Sequence, residues 1–410
     1  MALYGRLLYA WLLVLVFSLQ AFRGGFAHSY YDDDNNGGYD PNALCSEDPT
    51  TSAMVCTCNV GFVNTGSADN VVCTEMRSAS EDIPTDMGSA SEDIPTDMGS
   101  ASEVSRTVNV PANANWAQNG VTIAGGNGQG GATNQLNQLQ GLFFNDDQTV
   151  VIADWGNHRI MQWNNGDTKN GQVVAGGKGA GNGLNQLNGP TDVLIDKETD
   201  SLIICDWGNQ RVVRWSRRSD TTQGEILIDH IACYGLAMGE ERNLYVSDNG
   251  KQEVRRYKLG EKIGTLVAGG NGQGAGLNQL NYPTFLFVDQ QQNVYVPEWK
   301  NHRVMKWSKD ATEGIVIAGG QGAGSALTQL NGPLGLFVDT VGTLYVVDEF
   351  NHRVMRWTQG ANQGTVIVGG NGPGAGANQL NLPVGLSFDQ HGNFYVAEYI
   401  NGRVQQFSIQ

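Results

Sequence analysis

Residues 348–357 read DEFNHRVMRW, and five related ten-residue segments occur elsewhere in the chain. Each segment begins with a carboxylate, at Asp154, Asp206, Asp248, Glu298, Asp348 and Glu398. Successive carboxylates are 52, 42, 50, 50 and 50 residues apart. A period of this length is typical of propeller blades and other repeat arrays, so the chain is predicted to be a repeat protein.

Each copy has the pattern of a strand that packs on a neighbouring element. An apolar β-branched residue stands six positions after the carboxylate in every copy. An aromatic residue stands nine positions after it, at Trp163, Trp215, Tyr257, Trp307, Trp357 and Phe407. Position seven shares a face with position nine because side chains alternate along a strand, and it is Met or Val in four copies. This face is expected to pack on a neighbouring element.

Each period contains three further short β-rich runs. In the fifth period they read GLFVD at 335–339, LYVVD at 344–348 and GTVIVGG at 364–370, without a helical pattern between them. Each period therefore holds four antiparallel strands, called a to d below. Six such periods indicate an all-β fold, a six-bladed β-propeller.

The last period lacks its fourth strand, because Gln410 lies three residues after the end of strand c. A spare run of the strand d type, GVTIAGG at 120–126, precedes the first blade. This N-terminal strand is expected to complete the sixth blade, so that the ring closes without a free sheet edge.

The repeated unit resembles the NHL-repeat family, in which a strand ending in Asp is followed by a turn reading roughly x-x-N-H-R. Asp154, Asn157, His158 and Arg159 match this motif, and the resemblance covers about residues 116–410. It implies the propeller fold but no single activity, because the family includes RNA-binding proteins, extracellular sensor domains and an amidating lyase. Blade three departs from the motif, with Lys251 and Glu253 in place of Asn and Arg, so an irregular outer rim is expected there.

The composition divides the chain into five segments. Residues 1–27 are predicted to be a cleavable secretory signal, since the apolar run at 7–17 is too short to span a bilayer; an uncleaved signal anchor is the alternative. Residues 28–44 are polar and acidic, and their Asp32 to Asp34 run is either a solvated tail or a calcium site. A cysteine module at 45–76, a disordered acidic linker at 77–106 and the propeller at 107–410 follow. No later segment is apolar enough to span a membrane.

The cysteine module resembles the C-terminal half of an EGF-like module, on the stretch CTCNVGFVNTGSADNVVC. That resemblance implies disulfides Cys45–Cys56 and Cys58–Cys73, although four cysteines allow three connectivities. Two of the usual six cysteines are missing, so the module is truncated. An even cysteine count behind a signal peptide indicates an oxidising, extracellular compartment.

Two cysteines remain in the propeller, Cys205 at the end of strand b of blade two and Cys233 at the start of strand a of blade three. Both positions fall on the same rim of adjacent blades. They are either a disulfide or two buried thiols.

Charge argues against nucleic acid as a partner. The chain has a formal net charge of −16, and residues 1–106 contribute 15 acidic against 4 basic side chains. The propeller is therefore close to neutral, whereas nucleic-acid binding favours a strongly basic face.

The repeated acid, Asn and Arg are interpreted as structural. Six equivalent copies around a ring cannot converge on one substrate, and an Arg five residues after the acid can pair with it. The repeated His residues lie in the turns of different blades. The Gly-rich runs, such as GGNGPGAG at 369–376, lead from strand to strand rather than from strand to helix, so they are predicted to be blade links and not nucleotide sites.

Two sets of side chains are candidate binding residues. The first follows the carboxylate directly and comprises Trp155, Trp207, Trp299 and Tyr399, with Asn249 and Glu349 in the other two blades. On one face of a propeller, these rings could stack on a glycan or clasp a peptide; alternatively, each packs on the adjacent blade. The second set is a basic patch for an anionic partner, formed by Arg214, Arg217, Arg218, Arg255 and Arg256; alternatively, it is a solvated face balanced by Asp220, Glu225 and Glu261.

These features favour a secreted, non-enzymatic interaction module that holds an extracellular protein or glycan on one rim and needs no cofactor. The alternative is a propeller enzyme of the amidating-lyase or lactonase type, with a metal on the axis. Among the inner strands, only Asp192 offers a candidate ligand, so no metal site is predicted.

Overall fold

The structure is a computed structural model. It describes the backbone of residues 43–47, 54–58, 62–64 and 73–75, and residues 108–410 except 112, 146, 165, 167–169 and 219–220. The predicted signal peptide, most of the acidic segment and the predicted linker lie outside the described residues. No helix in the described part of the chain is both long and apolar enough to cross a membrane.

The N-terminal unit contains two antiparallel strand pairs. Strands β1 (Ala43–Glu47) and β2 (Met54–Cys58) form one, and β3 (Phe62–Asn64) and β4 (Cys73–Glu75) form the other. Along the first pair, the backbone of Cys45 lies directly opposite that of Cys56. The cysteine side chains lie outside the described part of the structure, so the EGF-like module and its disulfides stay predictions.

Six four-stranded antiparallel sheets form the propeller, with strand a of each blade nearest the axis. Blade one comprises β6 (Leu142–Phe144), β7 (Val150–Asp154), β8 (Arg159–Trp163) and β9 (Gln172–Gly176). Blade two comprises β10 (Pro190–Asp196), β11 (Ser201–Asp206), β12 (Arg211–Ser216) and β13 (Glu225–Asp229). Blade three comprises β14 (Cys233–Met238), β15 (Asn243–Asp248), β16 (Glu253–Lys258) and β17 (Thr265–Gly269).

Blades four to six repeat this order. Blade four comprises β18 (Phe287–Val288), β19 (Val294–Glu298), β20 (Arg303–Trp307) and β21 (Ile315–Gly319). Blade five comprises β22 (Pro333–Val338), β23 (Leu344–Asp348), β24 (Arg353–Trp357) and β25 (Thr365–Gly369). Blade six comprises β26 (Pro383–Phe388), β27 (Phe394–Glu398), β28 (Arg403–Phe407) and β5 (Val121–Gly125). Short 3-10 turns lie at Trp155–Asn157, Trp207–Asn209, Glu240–Arg242 and Glu349–Asn351.

The predicted closure of the ring is confirmed. Strand β5 pairs antiparallel with β28, with Val121 opposite Gln406. Just before β5, Trp116 is buried and its Nε1 donates to the Gly392 carbonyl at 2.8 Å. The early strand and the last strand c therefore belong to one sheet, which leaves the sixth blade with the same four strands as the others.

Strand c is buried on the predicted face, which carries position nine, and also on the opposite face, which carries position six. Residues six positions after the carboxylate are fully buried, and those at position nine are buried in every blade. A glycine at the start of strand d lies against each Trp or Tyr ring; a Cβ on Gly171 would come within 2.6 Å of the Trp163 ring. The glycine and the aromatic residue therefore recur together, because only a residue without a side chain leaves room for the ring.

The outer rim of blade three is regular. The prediction of an irregular rim in this blade is therefore wrong. Strand β17 pairs with β16 in the same pattern as in the other blades. The shorter period arises in the link from blade two, which has only residues 230–232 between β13 and β14, whereas the link at 320–332 spans 13 residues. A disulfide joins Cys205 to Cys233 beside this short link, with their Cα atoms 5.4 Å apart, and this confirms the disulfide alternative for the pair.

Candidate functional site

The repeated acid, Asn and Arg form a buried clamp that holds the links between blades. In blade one, Arg159 Nε donates to Asp154 at 2.7 Å, and its terminal nitrogens donate to link carbonyls, including that of Gly131 at 2.8 Å. Asn157 also donates to Asp154, at 2.8 Å. The same Arg–acid pair occurs in blades two, four, five and six, at Arg211–Asp206, Arg303–Glu298, Arg353–Asp348 and Arg403–Glu398. Burial raises the pKa of these carboxyl groups, and the Asn and Arg donors oppose the rise.

Blade three lacks this clamp, as its sequence indicates. Asp248 instead accepts the backbone N–H groups of Gly250 and Lys251, at 3.0 and 3.1 Å. Glu253, which stands in place of the Arg, pairs with Arg255 at 2.6 Å. The short link before blade three offers no Gly-rich loop for an Arg to hold, which explains why the motif changes in this blade alone.

The repeated His residues join adjacent blades. The Nδ1 atoms of His158, His302 and His352 accept backbone N–H groups from the start of the next blade, at 3.0 to 3.2 Å. Burial lowers the pKa of His302 and His352, which favours the neutral ring needed for an acceptor. Acid, Asn, Arg and His are thus all used to build the ring, as the sequence interpretation holds.

The turns between strands b and c lie on one side of the propeller, here called the b–c face. Trp155 and Trp207 are half-buried on it. A Cβ on Gly189, in the link to blade two, would lie 2.7 Å from Trp155 Nε1, so that ring covers the link. Trp207 Nε1 donates to Asn249 Oδ1 of blade three at 3.4 Å. Each ring therefore packs on the next blade, as the alternative interpretation has it, and a role in ligand binding stays a prediction.

Trp299 also contacts the next blade, and its partner there is a carboxyl group. Its Nε1 donates to Glu349 Oε2 at 2.7 Å, and its ring centroid lies 5.6 Å from that of Phe350. On its other side, the Tyr282 ring lies 5.7 Å away. Burial raises the pKa of Glu349 to about 7, and the Trp299 hydrogen bond opposes the rise.

Tyr234, near the start of strand a of blade three, lies where the b–c face meets the axis. Its hydroxyl donates to Gln140 of blade one at 3.2 Å, and its ring lies 6.1 Å from that of Tyr282 and 5.5 Å from that of Phe285. Burial raises its pKa well above the ordinary value, and interactions with Tyr282, Glu349, Tyr399 and Asp192 raise it further. The Tyr234 side chain therefore contacts groups from blades one and four, at the point where strand a of blade three begins.

We call this cluster the axial mouth and define it by Gln140, Tyr234, Tyr282, Trp299, Glu349 and Tyr399. Two of its members, Trp299 and Tyr399, come from the aromatic set that the sequence singles out. Tyr234, Tyr282 and Gln140 were missed. Their signal in the sequence is a local departure from the other blades. Gln140 and Tyr234 stand where the other four blades have Thr, Leu or Val, and Tyr282 stands where Gly occurs in two blades.

Asp192 lies on the axis beneath the mouth. Its Oδ2 accepts the Leu236 N–H at 2.8 Å, and its Oδ1 accepts the Val193 N–H at 2.9 Å. Burial raises its pKa to about 7, and the two backbone hydrogen bonds oppose the rise. Across the described residues, no three His, Cys, Asp or Glu side chains are grouped so that they could hold a metal.

The basic residues lie on the outer strands, and most contact an acceptor. Arg214 pairs with Glu225 at 2.6 Å, and Arg217 pairs with Asp200 at 2.9 Å. Arg256 donates to a Gln292 side-chain oxygen at 3.5 Å, while Arg255 pairs with Glu253 as described above. Arg218 is exposed. The ion pair between Arg214 and Glu225 agrees with the alternative that these basic residues form a solvated face balanced by acidic ones. Anion binding by this patch stays a prediction.

Comparison with solved structures supports the fold. A structural genomics protein of unknown function from Bacteroides thetaiotaomicron superimposes with a TM-score of 0.58 at 17% identity, covering 72% of this chain and 76% of that one. An auxiliary nutrient binding protein from the same organism superimposes with a TM-score of 0.55 at 16% identity, covering 71% of this chain and 76% of that one. A putative phosphatase from that organism superimposes with a TM-score of 0.55 at 14% identity, covering 73% of this chain and 79% of that one.

No protein-family model and no curated protein sequence matches the chain. Membership in the NHL-repeat family therefore stays a prediction, while the six-bladed propeller is supported both by the strand pairing and by the neighbours. The neighbours' names span binding and catalysis, and at these identities they establish the fold alone. The choice between the two activities depends on the chemistry of the axial mouth.

Proposed function

We propose that this chain is a secreted, non-enzymatic binding protein whose propeller holds an extracellular glycan or protein at the axial mouth. The observation that carries this proposal is the continuous cluster in which the Tyr234 hydroxyl contacts Gln140, its ring contacts Tyr282, and Tyr282 contacts Trp299, which donates to Glu349. A concave site with several aromatic rings and a few fixed polar groups is typical of ligand binding.

The chemistry of the mouth suits a polar ligand with apolar faces. Tyrosine and tryptophan offer ring faces together with a hydroxyl or N–H group. Glu349 and Gln140 add a carboxyl and an amide that can hydrogen-bond hydroxyl or peptide groups. Because their pKa values are raised, Tyr234 and Tyr282 stay protonated near neutral pH, so they serve as hydrogen-bonding groups rather than as bases.

The test is a binding screen with variants on the two faces. The secreted chain is applied to a glycan array and to an extracellular-protein array, and the affinity for each hit is measured by calorimetry. Trp299→Ala is expected to weaken binding by about 30-fold, the size of a hot-spot aromatic residue. Tyr234→Phe is expected to weaken it by about fivefold, the size of one hydrogen bond. Ile263→Ala, at a site 81% exposed in the turn between strands c and d of blade three, is the control.

Two results contradict the proposal. One is that neither array yields a ligand that binds saturably to the unmodified chain. The other is that the two mouth variants bind a hit as tightly as the unmodified chain does, while their thermal unfolding shows that they are folded.

Secretion is part of the proposal and is tested separately. When the full chain is expressed in eukaryotic cells, the product is expected in the medium with His28 as its first residue, because the signal is predicted to end at residue 27. Intact protein retained in the membrane with residues 1–27 attached would support the signal-anchor alternative instead.

A second candidate is a propeller enzyme, and Glu349 favours it. A carboxyl group with a pKa of about 7 suits a general acid or base at neutral pH. The two candidates differ in what happens to a bound ligand. Incubation of each array hit with the chain, followed by mass spectrometry, is expected to return the ligand unchanged; turnover that Glu349→Gln abolishes would establish the enzyme.

A further inference from the structure

A cavity of about 190 Å³ lies on the propeller axis, between the inner strands. Its walls come from the halves of strands a that lead towards the a–b turns, which places it on the side away from the axial mouth. One residue from each strand a faces it at the same level, namely Phe143, Leu194, Ala237, Phe287, Phe337 and Ser387. Three phenylalanines and a leucine make most of this ring apolar.

The cavity exists because two of these six positions are small. Phe stands there in blades one, four and five, whereas blade three has Ala237 and blade six has Ser387. An apolar cavity of about 150 Å³ in a protein core can hold benzene. The space on this axis is therefore large enough for a molecule with one six-membered ring and a short substituent.

The end of the cavity nearest the axial mouth is narrow. Gly141, Gly235, Gly335 and Gly385 line the axis there, and neighbouring inner strands approach closely: a Cβ on Gly385 would lie 2.7 Å from the Gln140 carbonyl oxygen. Blade four has Phe285 and blade two has Asp192 at this level instead of glycine. Asp192 Oδ1 would lie 2.2 Å from a Cβ on Gly141. A carboxyl group therefore stands at the narrow end of the cavity, while Lys197, in the a–b turn of blade two, also belongs to its lining.

Asp192 has unused hydrogen-bonding capacity. It is 7% exposed, and its oxygens accept the backbone N–H groups of Val193 and Leu236. A carboxylate can accept about four hydrogen bonds. Among the described residues no Lys or Arg pairs with it, and its pKa of about 7 reflects burial that no cation offsets. Buried carboxylates are rarely left without a partner.

We propose that the axial cavity binds a small apolar amine, with its ammonium group on Asp192 and its hydrocarbon body among Phe143, Phe287 and Phe337. An ammonium supplies the cation and the hydrogen-bond donors that the carboxylate lacks. The lining has one carboxylate, and its other charged residue is Lys197, so it does not suit a metal ion, which requires several oxygen ligands. This site lies towards the opposite end of the propeller axis from the axial mouth. The proposal therefore goes beyond the binding function proposed above.

Two matched ligands test the proposal. Benzylamine and benzyl alcohol have nearly the same size and differ in charge, and their affinities for the full chain are compared by calorimetry at pH 8, where Asp192 is ionised. Benzylamine is expected to bind at least tenfold more tightly than benzyl alcohol. Equal affinity for the two ligands, or no binding of benzylamine, would overturn the proposal.

Three variants locate the binding. Asp192→Asn keeps an acceptor for the Leu236 N–H and is expected to remove the preference for the amine while benzyl alcohol still binds. Ala237→Phe places in blade three the residue found at that position in three other blades, fills the cavity and is expected to abolish binding of both ligands. Trp299→Ala, at the axial mouth, is expected to leave benzylamine binding unchanged.

If one of the two cavity variants, Asp192→Asn or Ala237→Phe, fails to fold, the other alone tests the proposal. Benzylamine binding that survives Ala237→Phe, or an amine preference that survives Asp192→Asn, would overturn the proposal. Failure of the glycan and protein arrays would contradict the axial mouth alone, because the amine site is measured with its own ligands and its own variants.

Discussion

Individual polar residues hold the propeller together through a small number of buried contacts that recur from blade to blade. The Arg of the clamp uses its Nε on the acid and its terminal nitrogens on link carbonyls, so one side chain fixes two segments. Such a pair is sensitive to the loss of one member, since the remaining charge is then buried without a partner. An exposed pair lacks this sensitivity, because water replaces the missing member.

This difference predicts unequal effects for two arginines on strand c. Arg353→Met removes the partner of the fully buried Asp348 and is expected to lower the free energy of unfolding by about 3–5 kcal/mol. Arg214→Met removes the partner of the exposed Glu225 and is expected to cost less than about 1 kcal/mol. Urea denaturation of the two variants measures both. Similar urea denaturation midpoints for the two variants would show that the clamp does not act as a buried ion pair.

The His residues predict a pH dependence of stability. His302 and His352 have a lowered pKa in the folded state, so their contribution is complete above the unfolded-state value of 6.5 and is lost as the pH falls through the lower folded values. Buried carboxyl groups with a raised pKa act in the opposite direction, so a matched variant is needed. Gln takes the place of His in blade three, where Gln252 accepts the Tyr282 N–H.

His302→Gln/His352→Gln is therefore expected to lose less stability than the unmodified chain between pH 7.5 and pH 5. Thermal unfolding midpoints at the two pH values measure this difference. A double variant whose midpoint falls as much as that of the unmodified chain would exclude these two residues as the source of the acid sensitivity.

Among the elements, the link between blades two and three differs from the others in length and in chemistry. The 13-residue links are held by Arg clamps, while the short link at 230–232 is accompanied by the Cys205–Cys233 disulfide. Both cysteines are fully buried, on β11 and β14. The disulfide thus joins two blades at a place where the Gly-rich loop is absent.

Removal of this disulfide is expected to be costly. Closing a loop with a sequence separation of 28 residues corresponds to about 3–4 kcal/mol in the chain-entropy model. Cys205→Ala/Cys233→Ala is expected to lower the free energy of unfolding by this amount, as measured by urea denaturation. Reduction of the unmodified chain serves as the comparison, and an unchanged midpoint in both experiments would mean that the link needs no covalent support.

In the whole molecule, the sequence predicts the frame better than the sites. The ten-residue unit, the aromatic at its ninth position and the spare strand at 120–126 are local patterns, and they yield the blades and the closure. The importance of Tyr234 is not local, because its partners Gln140, Tyr282 and Glu349 are distant in the chain and meet only at the axis. In the same way, Ala237 and Ser387 are ordinary small residues until the ring places them beside three phenylalanines.

Both proposed sites depend on the closure of the ring, because the axial cavity takes residues from every blade and the axial mouth takes residues from five of the six. A cysteine pair tests this closure directly. Val121→Cys and Gln406→Cys stand opposite each other on β5 and β28, whereas Lys306 holds the position equivalent to Gln406 on strand c of blade four. We predict that Val121→Cys/Gln406→Cys forms a disulfide detectable by peptide mapping and that Val121→Cys/Lys306→Cys does not. No cross-link in the first pair, or equal cross-linking in both, would contradict the closed six-bladed ring.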